Sequence, residues 1–145
     1  VGLAARNLGS CKRLLEHCME YVHEREQFGQ PIVEFQAVQH MLAEIAKDIA
    51  ALEALTYKVA WMADQGQRVV KDAAIAKLYG SEVYNKVADL AVQIHGGIGY
   101  MKDYPIERYY RDARITKIYE GTSEIQKMII SSELVREYKN RGVKV

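Results

Sequence analysis

Proline is almost missing from this 145-residue chain, with Pro31 and Pro105 its only two. Short β-branched runs alternating with polar residues between turn signals are nearly absent too, which argues against a sheet protein. Cysteine is as scarce: Cys11 and Cys18 lie on one helical-looking segment, about 10 Å apart along its axis, too far for a disulfide. They read as buried thiols suited to a reducing compartment. No surplus of one charge exists, since 20 Lys+Arg against 19 Asp+Glu leave +1. Nothing in this balance points to phosphate neutralisation on a nucleic acid, and there is no acidic tail. No apolar run approaches the roughly 20 residues of a membrane helix, and no opening segment has the form of a secretory signal. At 49% hydrophobic and 27% charged residues, the chain reads as a single folded domain over 1–145, neither disordered nor membrane-spanning. It opens on Val1 rather than Met, which fits a fragment or a processed chain.

What is present is helical periodicity. Leu8, Cys11, Leu15, Cys18 and Val22 recur at three- and four-residue spacing before Gly29 and Pro31, predicting a first helix over roughly 1–26. Val38, Met41, Leu42, Ile45, Ile49, Leu52, Leu55, Val59 and Met62 predict a second over about 35–65. A third stripe, from Ala73 through Ile94, runs into Gly96, Gly97 and Gly99 and is expected to end there. Pro105 is placed in the first turn of a shorter helix reaching about Tyr119, with Glu107 near its positive end. Ser123 and Gln126 have the spacing of a capping box ahead of a last helix over about 123–139. The expected fold is all-α: an antiparallel up-and-down four-helix bundle with a short extra helix before the last one.

Three junctions carry more than such a bundle requires. In REQFGQPI at 25–32, Gly29 and Pro31 can simply stop a helix, with Phe28 plugging its end and Arg25 suiting the dipole of the last turn. Alternatively Arg25 offers a planar fork of donors to a phosphate, beside the uncharged Gln27 and Gln36. In QIHGGIGY at 93–100, the glycines permit left-handed backbone and close ligand approach. The spacing is not the dinucleotide fingerprint and no strand precedes it. His95 reads most simply as a last-turn histidine favoured by the dipole. In RDARITKIYEGTSEIQ at 111–126, Glu120 falls between a helix end and a capped helix start. A carboxylate there opposes the dipole, and desolvation by Ile118 and Tyr119 would raise its affinity for a proton, as a general base requires. Gly121 leaves room beside it, and Thr122 and Glu124 offer polar groups near the start of the last helix. A solvated loop acid followed by cap residues is the plainer alternative.

Taken together, REQFGQPI with Phe35 and Gln36, QIHGGIGY, and YPIERYYRDARITKIYEGTSEIQ, in this order and separation, resemble the C-terminal helical domain of the acyl-CoA dehydrogenase family over essentially the whole chain. The resemblance implies the C-terminal part of a three-domain flavoprotein that removes two hydrogens from an acyl-CoA thioester, giving the trans-2-enoyl-CoA and reduced FAD. Glu120 matches the family's catalytic base in IYEGT. Arg25, Gln27, Phe28 and Gln36 match FAD contacts, and Gln93, Ile94, His95, Gly96 and Gly97 match residues lining the cofactor of a neighbouring subunit. Thr122, Ser123 and Glu124 match cofactor-binding positions after the base, and Gly121 one against the acyl thioester. The resemblance further implies a homotetramer built as a dimer of dimers, electron-transfer flavoprotein as acceptor, and bacterial cytoplasm or mitochondrial matrix as the compartment. No metal is expected. Alone, the fragment should not turn over substrate, because the rest of the flavin and CoA sites lies elsewhere in the family. Some branches carry the base at or before the position of Val1. The competing readings are a related flavin oxidase or monooxygenase, and a non-catalytic bundle that binds partners through its apolar stripes.

Overall fold

The computed structural model describes residues 1–140. Its elements are α1 (Gly2–Glu24), β1 (Glu26–Gln27), β2 (Gln30–Pro31), a 3-10 turn (Ile32–Glu34), α2 (Gln36–Asp64), α3 (Val70–His95), α4 (Gly97–Tyr100), α5 (Ile106–Ile115) and α6 (Ser123–Asn140). The expected helices form within a few residues of their expected ends, with α5 the largest departure. Pro105 sits just before α5 rather than inside its first turn, and α5 stops at Ile115, well short of Tyr119.

The periodic apolar residues meet in a main core and a smaller cluster of Ala4, Val59 and Ala76. Leu14, Ile45, Leu52, Val59, Val87 and Ile106 are fully buried; truncating any of the larger ones to Ala would cost about 2–5 kcal/mol. Cys11 and Cys18 lie in the same core as free thiols, and burial pushes both up to about 12. Lys12 of α1 pairs with Glu53 of α2, and Val1 and Ala5 line a cavity with Tyr57 and Ala60, so these helices run antiparallel. Lys86 of α3 reaches both Glu44 and Asp48 of α2 at 2.8 Å, which makes α2 and α3 antiparallel as well. α1 and α3 therefore lie parallel and touch. Gly80 lies at this meeting, where a Cβ would stand 3.3 Å from Leu52 Cδ1 and 3.4 Å from the Ala4 Cα.

The fourth rod is broken. α5 returns along α3, where Asn85 Nδ2 donates to the Ala113 carbonyl at 2.7 Å, and α6 continues over the beginning of α3 through Lys71–Glu137 and Arg68–Glu133. The break at 116–122 is the IYEGT junction. Among the described residues the rest of the sheet content is one two-residue-strand hairpin, Glu26 opposite Pro31 and Gln27 opposite Gln30. Helical periodicity cannot foretell it.

Candidate functional site

The hairpin decides how REQFGQPI is presented. α1 ends at Glu24 because Arg25 turns extended (φ −79, ψ 121), and the two-residue loop Phe28-Gly29 has φ 54 and 83. Two left-handed residues in a two-residue loop define a type I′ turn, whose usual occupant is Asn-Gly. Phe28 is an uncommon choice there, since left-handed backbone costs a non-glycine about 1–2 kcal/mol. It does not plug the helix end: its ring is 92% exposed and meets Phe35 only edge-on, at 6.1 Å between centroids. Arg25, Gln27 and Gln36 are exposed alongside it.

QIHGGIGY lies at the same end of the bundle. The His95 ring stacks on Tyr21 of α1 at 4.4 Å, and Tyr21, Glu24, Arg25, Ile98 and Tyr104 line a cavity of about 250 Å³ between the two motifs. The motif is not uniformly available, however. Ile94 and His95 are buried, whereas Gln93, Gly96 and Gly97 face outward. His95 Nδ1 donates to the Ala91 carbonyl at 2.8 Å, while Nε2 is buried and unpartnered among the described residues. Burial pushes its pKa down, only partly opposed by the Ala91 bond. His95 does stand in the last turn of α3, as expected, but burial there works against its charged form. The glycines divide their work. Gly96 ends α3 at φ 61, while a Cβ on Gly99 would stand 2.7 Å from the His95 Cβ and 3.1 Å from the Val92 carbonyl. Gly97–Tyr100 is a helical turn rather than an open loop.

The third junction stands apart. Glu120 and Gly121 are consecutive left-handed residues, at φ 53 and 88, so Glu120 shares with Phe28 the strained geometry that non-glycine residues seldom adopt. The Gly121 carbonyl accepts from Lys77 Nζ at 2.6 Å. Since Lys77 precedes His95 on α3, the junction lies about 27 Å along the helix axis from the other two motifs. Glu120 is itself exposed, and so is Ile118. The desolvated cleft beside the glycine corners is therefore not formed within this chain, because the corners lie at opposite ends of it. Thr122 and Ser123 are half-buried and Glu124 is exposed. The cap falls one residue earlier than expected: Thr122 Oγ1 accepts from the Ile125 N–H at 3.4 Å. The Glu124 carboxyl is held below its usual range by its own backbone N–H and, after it, by the Thr122 hydroxyl. Gln126 is no capping partner, since its Nε2 donates to the carbonyls of Glu120 at 3.1 Å and Gly121 at 3.4 Å.

Lys77 has no part in the motifs read from the sequence, and Gln126 enters them only as a capping partner. A signal existed for the first: Lys77 follows Ala73 by four residues and precedes Tyr84 by seven, an internal position at which a lysine is out of place.

Residues 1–135 match the acyl-CoA dehydrogenase C-terminal domain. The chain belongs to the acyl-CoA dehydrogenase family. It is 47% identical over 136 residues to an acryloyl-CoA reductase (NADH) of Anaerotignum propionicum, covering 94% of this chain and 34% of that protein. It is 42% identical over 137 residues to the caffeyl-CoA reductase-Etf complex subunit CarC of Acetobacterium woodii, covering 94% and 36%. Among solved structures it superposes on the butyryl-CoA dehydrogenase of Megasphaera elsdenii with a TM-score of 0.90 and 43% identity, over 92% of this chain and 35% of that one. The chain thus spans about a third of the length of these relatives, and its helical fold is that of the family's C-terminal domain.

Proposed function

We propose that this chain supplies the C-terminal domain of a flavin-dependent enzyme acting on the α,β carbon–carbon bond of an acyl-CoA thioester, with Glu120 as the group that moves the α-proton. The observation that carries the reading is Glu120 itself, a non-glycine residue held left-handed at a helix junction within the family's IYEGT motif. Strain of that kind persists where the surroundings enforce it, and it gathers at functional sites. In dehydrogenation the Glu120 carboxylate takes the α-proton, acidified by the thioester carbonyl, while the β-hydrogen departs with its electron pair and the α,β double bond forms. FAD, when bound, supplies the acceptor for that hydride. Glu120 is exposed in a single copy, so the water exclusion this step needs must come from substrate, from a neighbouring copy and from the rest of the enzyme.

The same residues serve the reverse direction, in which Glu120 returns a proton to the α-carbon. The identity to an acryloyl-CoA reductase favours considering it. An electron-transfer flavoprotein is the partner we propose, after the relative whose name includes an Etf complex.

The residues at the hairpin end fit a flavin nucleotide. Phe28 offers a whole ring face, Arg25 a fork of donors beside a cavity, and Gly96 and Gly97 present backbone over which an added Cβ would meet nothing within 4 Å. Glu120 is too far away to serve the same cofactor within one copy. We therefore propose that each copy lends its hairpin end to the FAD whose reactive part faces Glu120 of a neighbouring copy, which makes the enzyme an oligomer of the dimer-of-dimers kind.

The test is the whole protein, purified and mixed anaerobically with acyl-CoA. Yellow protein bleached by substrate is expected, and Glu120→Gln should keep the colour while slowing the bleaching roughly 10²–10⁴-fold. Bleaching at the normal rate in that variant moves the base elsewhere. A colourless protein that FAD does not reconstitute supports the non-catalytic bundle instead.

A further inference from the structure

We propose that Lys77 and Gln126 form a buried two-point clamp on the Glu120-Gly121 backbone, and that Lys77 is thereby a positioning residue for the Glu120 carboxylate. The proposal rests on the reading of Glu120 as the proton-moving group. Both clamp residues are buried, at 6% exposure each, and both donate to main-chain carbonyls of the left-handed pair. Lys77 Nζ reaches Gly121 at 2.6 Å, and Gln126 Nε2 spans Glu120 at 3.1 Å and Gly121 at 3.4 Å. The two carbonyls are thus drawn inward, and the Glu120 side chain is left on the exposed surface. Its carboxylate makes no hydrogen bond or ion pair among the described residues. The direction in which it is offered to a substrate depends on the backbone beneath it, and so on the groups that grip that backbone.

Magnitudes separate this role from ordinary packing. Removing an ammonium group from water is costly, and an apolar side chain of similar volume would fill the same place without that cost. Lys77 has no carboxylate within ion-pair distance among the described residues to offset the burial. What it has is one short charge-assisted bond to a carbonyl, while Glu120 and Glu124 lie close enough to favour its charged form against the stronger effect of burial. Gln126 does not replace it, because its bond to Gly121 is the long one. The neighbouring contacts hold the same loop: the Ser123 N–H donates to the Lys117 carbonyl at 3.0 Å and the Gln126 N–H to the Thr122 carbonyl at 3.0 Å. Lys77 is the member that ties it to a different rod of the bundle.

The experiment uses the whole flavoprotein with an acyl-CoA substrate, comparing wild type, Lys77→Met, Gln126→Leu and Glu120→Gln, with rates normalised to bound FAD. The clamp predicts that Lys77→Met lowers kcat roughly 10- to 100-fold, the penalty of a misplaced reacting group, with KM changed less than about twofold. Gln126→Leu should do the same to a smaller extent. A purely structural role would lower yield or melting temperature and leave kcat per bound flavin unchanged, and that outcome overturns the proposal. Failure of the underlying reading is distinct, because Glu120→Gln would then turn over normally. Should Lys77→Met not accumulate as folded protein, Gln126→Leu decides alone: a fivefold or greater fall in kcat sustains the clamp and an unchanged kcat overturns it.

Discussion

The two ends of the bundle carry the same backbone device in different surroundings. At one end Phe28-Gly29 and at the other Glu120-Gly121 are left-handed pairs with a bulky or charged residue before a glycine. Phe28-Gly29 is held by the two residue pairs of a small exposed hairpin. Glu120-Gly121 is held by side chains reaching out of the core. A hairpin turn places a ring into open space and lets it adapt to what covers it. A loop gripped from beneath fixes the backbone from which Glu120 projects, which the proposed proton transfer needs and stacking on a ring does not.

The comparison can be broken by substitution, and the largest effect is expected beside the hairpin end. Gly99→Ala forces a methyl group to 2.7 Å from the His95 Cβ, and such overpacking costs about 1–3 kcal/mol. Thermal unfolding of the whole protein should show it as a lower melting temperature. Next comes Gly121→Ala. It combines left-handed strain of about 1–2 kcal/mol with displacement of the Gln126 amide, the flexible end of a side chain, which a Cβ would approach to 2.7 Å. Gly29→Ala meets nothing within 4 Å at a similar φ, so it should cost only the strain. Equal losses at the two glycines would show that the grip from the core adds nothing.

His95 supplies a pH-dependent difference between the ends. Burial lowers its folded pKa below the ordinary 6.5. The stability it contributes is therefore complete above about pH 6.5 and is lost as pH falls through that value toward the lower folded one. His95→Phe should flatten this acid-side loss in chemical denaturation curves, while Glu120→Gln leaves it in place. The smallest effect carries the opposite sign. Phe28→Asn puts the preferred residue into the type I′ turn and should stabilise the chain by up to about 1 kcal/mol, while FAD retention on gel filtration falls. Undiminished retention would remove Phe28 from the cofactor reading.

Much of this was legible in the residue order, and the failures have common physical causes. The stripe from Val38 to Met62 becomes α2 almost to the residue, because a 3.6-residue repeat of apolar side chains has one way to bury itself. The hairpin escaped because its turn lacks the Asn-Gly or Asp-Gly that announces such a loop. α5 ends early because the chain needs 116–122 for the turn into α6, a demand of packing on α3 rather than of propensity. Among the site residues, Ile94 and His95 sit on the buried face of α3 although they belong to the same motif as the outward Gln93. A motif written as a string does not say which of its letters face inward.

The sequence by itself determined the helical class, the rods and their breaks, and the three motifs that mark the family, since each of these depends on residues within a few turns of one another. Only the tertiary structure decided that two motifs share one end while Glu120 stands at the other, and that a lysine 44 positions away secures the loop that bears it. Those facts depend on which helix faces lie together, and burying apolar surface fixes that pairing for the whole chain at once.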